Sequence, residues 1–216
     1  MGRRLLVVAA LAFCCSGVAA AATADPLEPQ EYWLARVGAD RATPPGPGVP
    51  IAIIDSGTDP QQPEFQGRAN TTFLNEQTIS GAEEFHGTAV ASVAAAPRNG
   101  LGIVGVYPEA VLQLFDASPV PGTINRLAAI VAIRNVAEHC PAVINLSFSS
   151  VIADPSLYSA ILTAVHNGCL VIAAAGNTGL SGNPTIYPAA YPHVLTVGAT
   201  DQNDAPAPFS TLGSTL

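Results

Sequence analysis

What most constrains this chain is a repeated switch between short, largely apolar runs and longer stretches with helical spacing. The runs fall at 51–54, 111–115, 143–146, 170–175 and 194–197. Each has strand length, and none is wet along a whole face, so each reads as a strand buried on both sides. Residues 123–138 place Ile124, Leu127, Ala128, Val131 and Ala132 at i, i+3, i+4, i+7 and i+8, the apolar stripe of a helix lying on a sheet. A second helix opens at Asp154-Pro155, an N-cap followed by proline, and carries Leu157, Ala160, Ile161, Ala164 and Val165 on one face. Gly168 ends it. This alternation predicts an α/β fold: a doubly wound, mostly parallel sheet with helices on both faces. Right-handed crossovers bring the C-terminal ends of all its strands to one edge.

Polar residues collect at that edge. Asp55 ends the first run, and open α/β sheets carry their active sites where strands end. By itself Asp55 also reads as a turn aspartate. An aspartyl-phosphate nucleophile would want a second acid two residues on, and position 57 is glycine. Asn145 and Ser147 end another run, and Asn177 follows Ala173-Ala174-Ala175-Gly176 at the end of a third. His86 opens a stretch of small residues reaching Ala96, which predicts a helix buried on most faces with an imidazole on its first turn. The plain alternative is a histidine satisfied by a nearby carbonyl. Together these residues suit acyl-transfer chemistry. An aspartate holds the Nδ1–H of a histidine and leaves Nε2 as a base, while a primary amide donates to an oxyanion.

Composition narrows the partners. The formal net charge is −8 and every basic residue is arginine, with no cluster of the kind that phosphate binding needs, which argues against nucleic acid. Residues 1–24 read as a signal peptide: Arg3 and Arg4, an apolar run over 5–15, then Ala22-Thr23-Ala24 before Asp25. An uncleaved anchor is the competing reading. Cleavage would leave an exported chain, secreted or periplasmic, with no membrane attachment. Residues 25–50, rich in proline, form an N-terminal segment that wraps the surface, and Pro44-Pro45-Gly46-Pro47-Gly48 is a turn leading into the domain at 51–216. Cys140 and Cys169 each precede an apolar run. If those runs are neighbouring parallel strands, an oxidising compartment favours a disulfide over two buried thiols. Neither cysteine has a partner at zinc-ligand spacing, and no metal ligand set is assigned.

Several motifs carry a family resemblance. Ile51-Ala52-Ile53-Ile54-Asp55-Ser56-Gly57 resembles the aspartate motif of the subtilisin-like serine proteases, peptidase family S8. His86-Gly87-Thr88-Ala89-Val90-Ala91-Ser92 is similar to their histidine motif, with Ala89 where a second histidine is common. Val143-Ile144-Asn145-Leu146-Ser147 resembles their substrate-binding strand, and Ala173-Ala174-Ala175-Gly176-Asn177 their oxyanion motif. Val197-Gly198-Ala199-Thr200 and the stretch from Phe209-Ser210 to Gly213-Ser214 fit as well. The Asp…His order is that of subtilisin. The resemblance implies a serine endopeptidase acting on extended polypeptides, monomeric and needing no cofactor. Asp55 would orient the imidazole, His86 would be base and then acid, and Asn177 would donate to the oxyanion. Ser147, Phe148 and Ser149 would pair with the substrate as an added strand. The family's structural calcium would fall near Glu64 and Asn99, where a solvated acid and a turn asparagine are equally good readings.

The departure from the pattern is the nucleophile. The resemblance puts it roughly 150 to 160 residues after the histidine, beyond Leu216. Neither Ser210 nor Ser214 has the expected surroundings. Losing that serine removes about six orders of magnitude in turnover, so the chain as written is expected to be inactive, with an uncovered sheet face and an exposed edge. Three readings follow: an endopeptidase seen in part, a pseudo-protease that binds peptides, and an unrelated exported α/β binding domain.

Overall fold

A computed structural model describes residues 24–42, 46–79, 85–120 and 123–213. All of the signal-peptide reading but its last residue lies outside these residues, as do Ser214 and part of the turn at 44–48. Six strands form one sheet: β1 (Ile51–Asp55), β2 (Thr71–Phe73), β3 (Leu112–Asp116), β4 (Val143–Leu146), β5 (Leu170–Ala174) and β6 (Val194–Val197). Their order is β2-β3-β1-β4-β5-β6, and every pairing is parallel. Four helices accompany them: α1 (Tyr32–Arg36), α2 (His86–Ala95), α3 (Arg126–Ala137) and α4 (Pro155–His166).

The two faces of the sheet are covered unequally. On one face Ala52, Ile54, Ile144, Leu146, Val171 and Ala173 pack against Ala129, Ile133, Ala160 and Ile161 of α3 and α4. Fully burying an Ile or Leu side chain there is worth roughly 1.5–3 kcal/mol. On the other face Ile53, Leu112 and Leu114 meet Ala91 and Ala95 of α2. That helix spans only β1 and β3. Over β4, β5 and β6 the same face is open, and Leu170, Leu195 and Val197 are about half exposed. The expected uncovered face is therefore present among the described residues. Helix α2 also departs from burial on nearly all sides, because Ala89 and Val93 look onto this open region.

Local sequence explains the ends of the helices. The Asp154 carboxylate accepts from the N–H groups of Ser156 (2.7 Å) and Leu157 (3.0 Å), and Pro155 stands in the first turn of α4. Gly168, at φ +95°, turns the chain out of it. Helix α3 begins later than its apolar stripe suggests. Asn125 caps it by accepting from Ala128 N–H at 3.0 Å, while Thr123 closes a bridge with Val120. Cys140 and Cys169 form a disulfide with a Cα–Cα separation of 5.2 Å, tying the exits of α3 and α4 beside the entries of β4 and β5.

The N-terminal segment also reaches into the domain. It forms α1 and buries two acids, Asp25 and Glu31, against the loop after α2. Asp25 Oδ1 accepts from the N–H groups of Asn99, Gly100 and Leu101, and Glu31 Oε2 from that of Val104. Among the described residues no helix is long and apolar enough to cross a membrane.

Candidate active site

Asp55 is the last residue of β1 and is 2% exposed, whereas the His86 side chain on the first turn of α2 is 59% exposed. The pair is thus a sheltered acid and a reachable base. His86 Nδ1 lies 2.7 Å from Asp55 Oδ1. The same oxygen accepts the Ser56 backbone N–H at 2.7 Å. Asp55 Oδ2 is buried and has no partner among the described residues. With Nδ1–H donating to Asp55, the free lone pair of the ring sits on Nε2. The hydrogen bond to Asp55 pushes the His86 pKa above its ordinary value, against the opposing effect of partial burial, and the negative charge of Asp55 adds to the rise.

Two glycines make this approach possible. A side chain on Gly87 would overlap the Gly57 carbonyl, and Gly57 itself has φ +90°. The Gly87 N–H donates to Ser56 Oγ at 3.2 Å and the Asp59 N–H to Thr88 Oγ1 at 2.9 Å. The turn after β1 and the first turn of α2 are therefore sewn together.

The other residues singled out in the sequence lie along the same edge. His86 and Ser147 line one cleft of about 540 Å³, with Ile51, Val90, Val143 and Ile172 forming its apolar walls. Asn145 in that cleft donates to Ser147 Oγ at 2.9 Å. Phe148 and Ser149 line a separate pocket of about 490 Å³ with Ile124, Leu157 and Tyr187. Asn177 is exposed just beyond β5 and is not among the residues lining the cleft of His86. Its loop is braced by Thr211, whose N–H donates to Gly176 O at 2.9 Å and whose Oγ1 accepts from Thr178 N–H at 3.1 Å.

Glu64 and Asn99 do meet, but as hydrogen-bonding partners. Glu64 Oε1 accepts from Ile103 N–H (2.7 Å), Oε2 from Ser92 Oγ–H (3.0 Å), and its carbonyl from Asn99 Nδ2–H (3.1 Å). Among the described residues no three His, Cys, Asp or Glu side chains gather closely enough to hold a metal ion together. One residue beside the site escaped the sequence reading: Asp116, which ends β3 as Asp55 ends β1 and stands opposite it in the register. Its signal was available, since it directly follows the run at 111–115.

An aspartate-held histidine at the carboxyl edge of a parallel sheet is an arrangement that can move a proton as a base and then as an acid. The comparisons make the class specific. The Subtilase family model, Peptidase_S8, matches residues 46–216, and the chain belongs to that family. Subtilisin E of Bacillus subtilis (strain 168) is 34% identical over 174 residues, covering 79% of this chain and 46% of the relative. Subtilisin Savinase of Lederbergia lenta is 33% identical over 171 residues, covering 79% of this chain and 62% of the relative. Among solved structures, the psychrophilic subtilisin-like protease Apa1 of Pseudoalteromonas sp. AS-11 superposes with a TM-score of 0.75 at 31% identity, covering 86% of this chain and 44% of that one. The prenylagaramide maturation protease PagA gives a TM-score of 0.70 at 28% identity, covering 84% and 64%. The chain spans about half the length of the curated relatives it matches first.

Proposed function

We propose that this chain carries the acid–base half of an exported serine endopeptidase that cleaves polypeptides held in extended form. The observation that carries the reading is the 2.7 Å contact between His86 Nδ1 and Asp55 Oδ1. In that scheme His86 Nε2 takes the proton of a serine hydroxyl and returns it to the leaving amine. Asp55 fixes the tautomer and stabilises the imidazolium. Asn177 donates to the tetrahedral oxyanion, and residues 147–149 pair with the substrate backbone. These steps need groups of the protein itself and no cofactor. The scheme assigns the serine to an element packed on the open face beside His86. The open apolar cleft beside His86 supports this, because a partner element packed there would bring a nucleophile to the imidazole.

Export is supported by the disulfide, which oxidising compartments favour, and by the leader-like first 24 residues. The lysine-free, acidic composition supports action as a soluble monomer away from nucleic acid and membrane.

The test extends the chain with its downstream coding sequence and measures hydrolysis of a chromogenic peptide. Activity that disappears in His86→Ala supports the reading, and undiminished turnover in that variant sinks it. A second reading, a pseudo-protease, has its own observation in the pocket of about 490 Å³ beside Phe148 and Ser149. It predicts saturable binding of extended peptides by the 216-residue chain, without labelling by a fluorophosphonate. Covalent labelling of that form would instead mean that the nucleophile lies within it.

A further inference from the structure

We propose that Asp116 is a positioning residue for the Asp55–His86 couple, acting through the turn that follows β1; this rests on the reading of that couple as the catalytic acid and base. Asp116 is buried at the end of β3 and stands opposite Asp55 in the sheet. Its carboxylate is fully committed to protein donors. Oδ2 accepts from Thr78 N–H (2.7 Å) and Oγ1–H (2.6 Å), and Oδ1 from Ser118 N–H (2.7 Å). Three donors converging on a side chain of this size call for a carboxylate, since an asparagine would turn an N–H toward one of them.

These bonds fasten the segment 75–78 across the end of β3. Asn75 completes the attachment, accepting from Asp116 N–H and donating to Asp116 O, both at 2.8 Å. Gln77, held by its Nε2–H on Asn75 O at 2.9 Å, presents Oε1 to the Thr58 N–H at 2.9 Å. The turn at 56–58 is thereby gripped from the β3 side. The Asp116 carboxylate also lies close beside the turn, since a Cβ added to Gly57 would come within 3.1 Å of it. From the opposite side the turn is held by Gly87 and Thr88 of α2.

What the turn controls is the Ser56 amide. That N–H and His86 Nδ1 share Asp55 Oδ1, so the direction of the Ser56 amide sets the rotation of the carboxylate that the imidazole meets. Loosening the β3 grip lets the turn, the amide and the carboxylate rotate together. The link runs through packed, hydrogen-bonded polar groups, the kind of network that holds one geometry.

The experiment uses the 216-residue chain and reads the Nδ1 proton resonance and titration midpoint of His86 by NMR. Asp116→Ala and Gln77→Ala should each weaken the downfield Nδ1–H signal and move the His86 midpoint down toward 6.5, the ordinary value. Gln77→Ala alters no charge, so its effect cannot come from a lost carboxylate acting at a distance. If Asp116→Ala does not fold, Gln77→Ala decides. Variants that lose thermal stability while the His86 signal and midpoint stay at parent values overturn the proposal and leave Asp116 a structural residue. The readout needs no turnover, so an extended chain that fails to cleave peptides overturns the proposed function alone.

Discussion

Gly87 rests against the carbonyl oxygen of Gly57, and this contact sets how closely the helix bearing the histidine approaches the strand bearing the aspartate. A methyl group on Gly87 would occupy the space of that oxygen, and the obstacle is backbone, which yields less readily than the end of a side chain. Gly57 is itself pinned against Asp116 on its other side. Gly87→Ala is expected to lose about 1–3 kcal/mol of stability, as overpacked sites do. It should also lengthen the His86–Asp55 hydrogen bond. Urea melts and the Nδ1 proton resonance of His86 check the two effects together.

Glu31 offers a test by pH. Its pKa is raised by burial first, with Glu28, Glu64 and Asp25 adding to the rise and the Val104 N–H opposing it. Oε1 is buried and has no partner among the described residues. Because the folded state holds this proton more tightly than the unfolded state, stability falls as pH climbs from the unfolded value of 4.5 through the raised folded one. Glu31→Gln keeps an acceptor for Val104 and removes the ionisation. It is expected to melt at a higher temperature than the parent at pH 8 and to flatten the loss between mildly acid and mildly alkaline pH. Thermal melts across that range measure both.

The disulfide acts at the far end of the sheet from the site. Cys140 and Cys169 are 29 residues apart, and reducing a bridge of that span should lower stability by about 3–4 kcal/mol. The Cys140→Ser, Cys169→Ser double variant should show the same loss without any reductant. The bridge sits where β4 and β5 begin, whereas His86 and Asp55 meet where β1 ends, so the titration of His86 should not move. Denaturant curves with and without dithiothreitol, beside an NMR titration, separate the two statements.

The legible parts of the fold were those whose burial leaves a period. β1, β4 and β6 match their apolar runs to within a residue, and α4 was marked at both ends by Asp154-Pro155 and Gly168. β2 was not legible. Thr71 to Phe73 is short and mostly exposed, and it is a strand because Leu112, Gln113 and Leu114 offer it a ladder. α1 was missed for a similar reason, since it buries little beyond Leu34. In the site, Asp55 and His86 could be read because each stands at a break between an apolar or small-residue run and polar sequence. Asp116 stands at the same kind of break, but its three donors come from Thr78 and Ser118, and nothing local in the sequence ties Thr78 to the end of β3.

The hydrogen bond between His86 and Asp55 also fixes the sign of the pH response. Asp55 raises the folded pKa of His86, chiefly through the hydrogen bond and then through its charge. The pair therefore contributes stability that is fully present below the unfolded histidine value and fades as pH rises through the folded one. Catalysis runs the other way, because a general base works only once deprotonated, so kcat/KM of the extended enzyme should rise through the same raised pKa. Asp55→Asn removes the carboxylate charge; with its amide oxygen kept on the Ser56 N–H, the ring meets only a neutral acceptor, so the His86 midpoint should drop. In the extended enzyme the imidazolium then loses its counter-charge, and turnover is expected to fall by about 10⁴-fold at neutral pH. An NMR titration of the imidazole in the 216-residue chain tests this directly, and a His86 midpoint unchanged in Asp55→Asn would contradict the role assigned to Asp55.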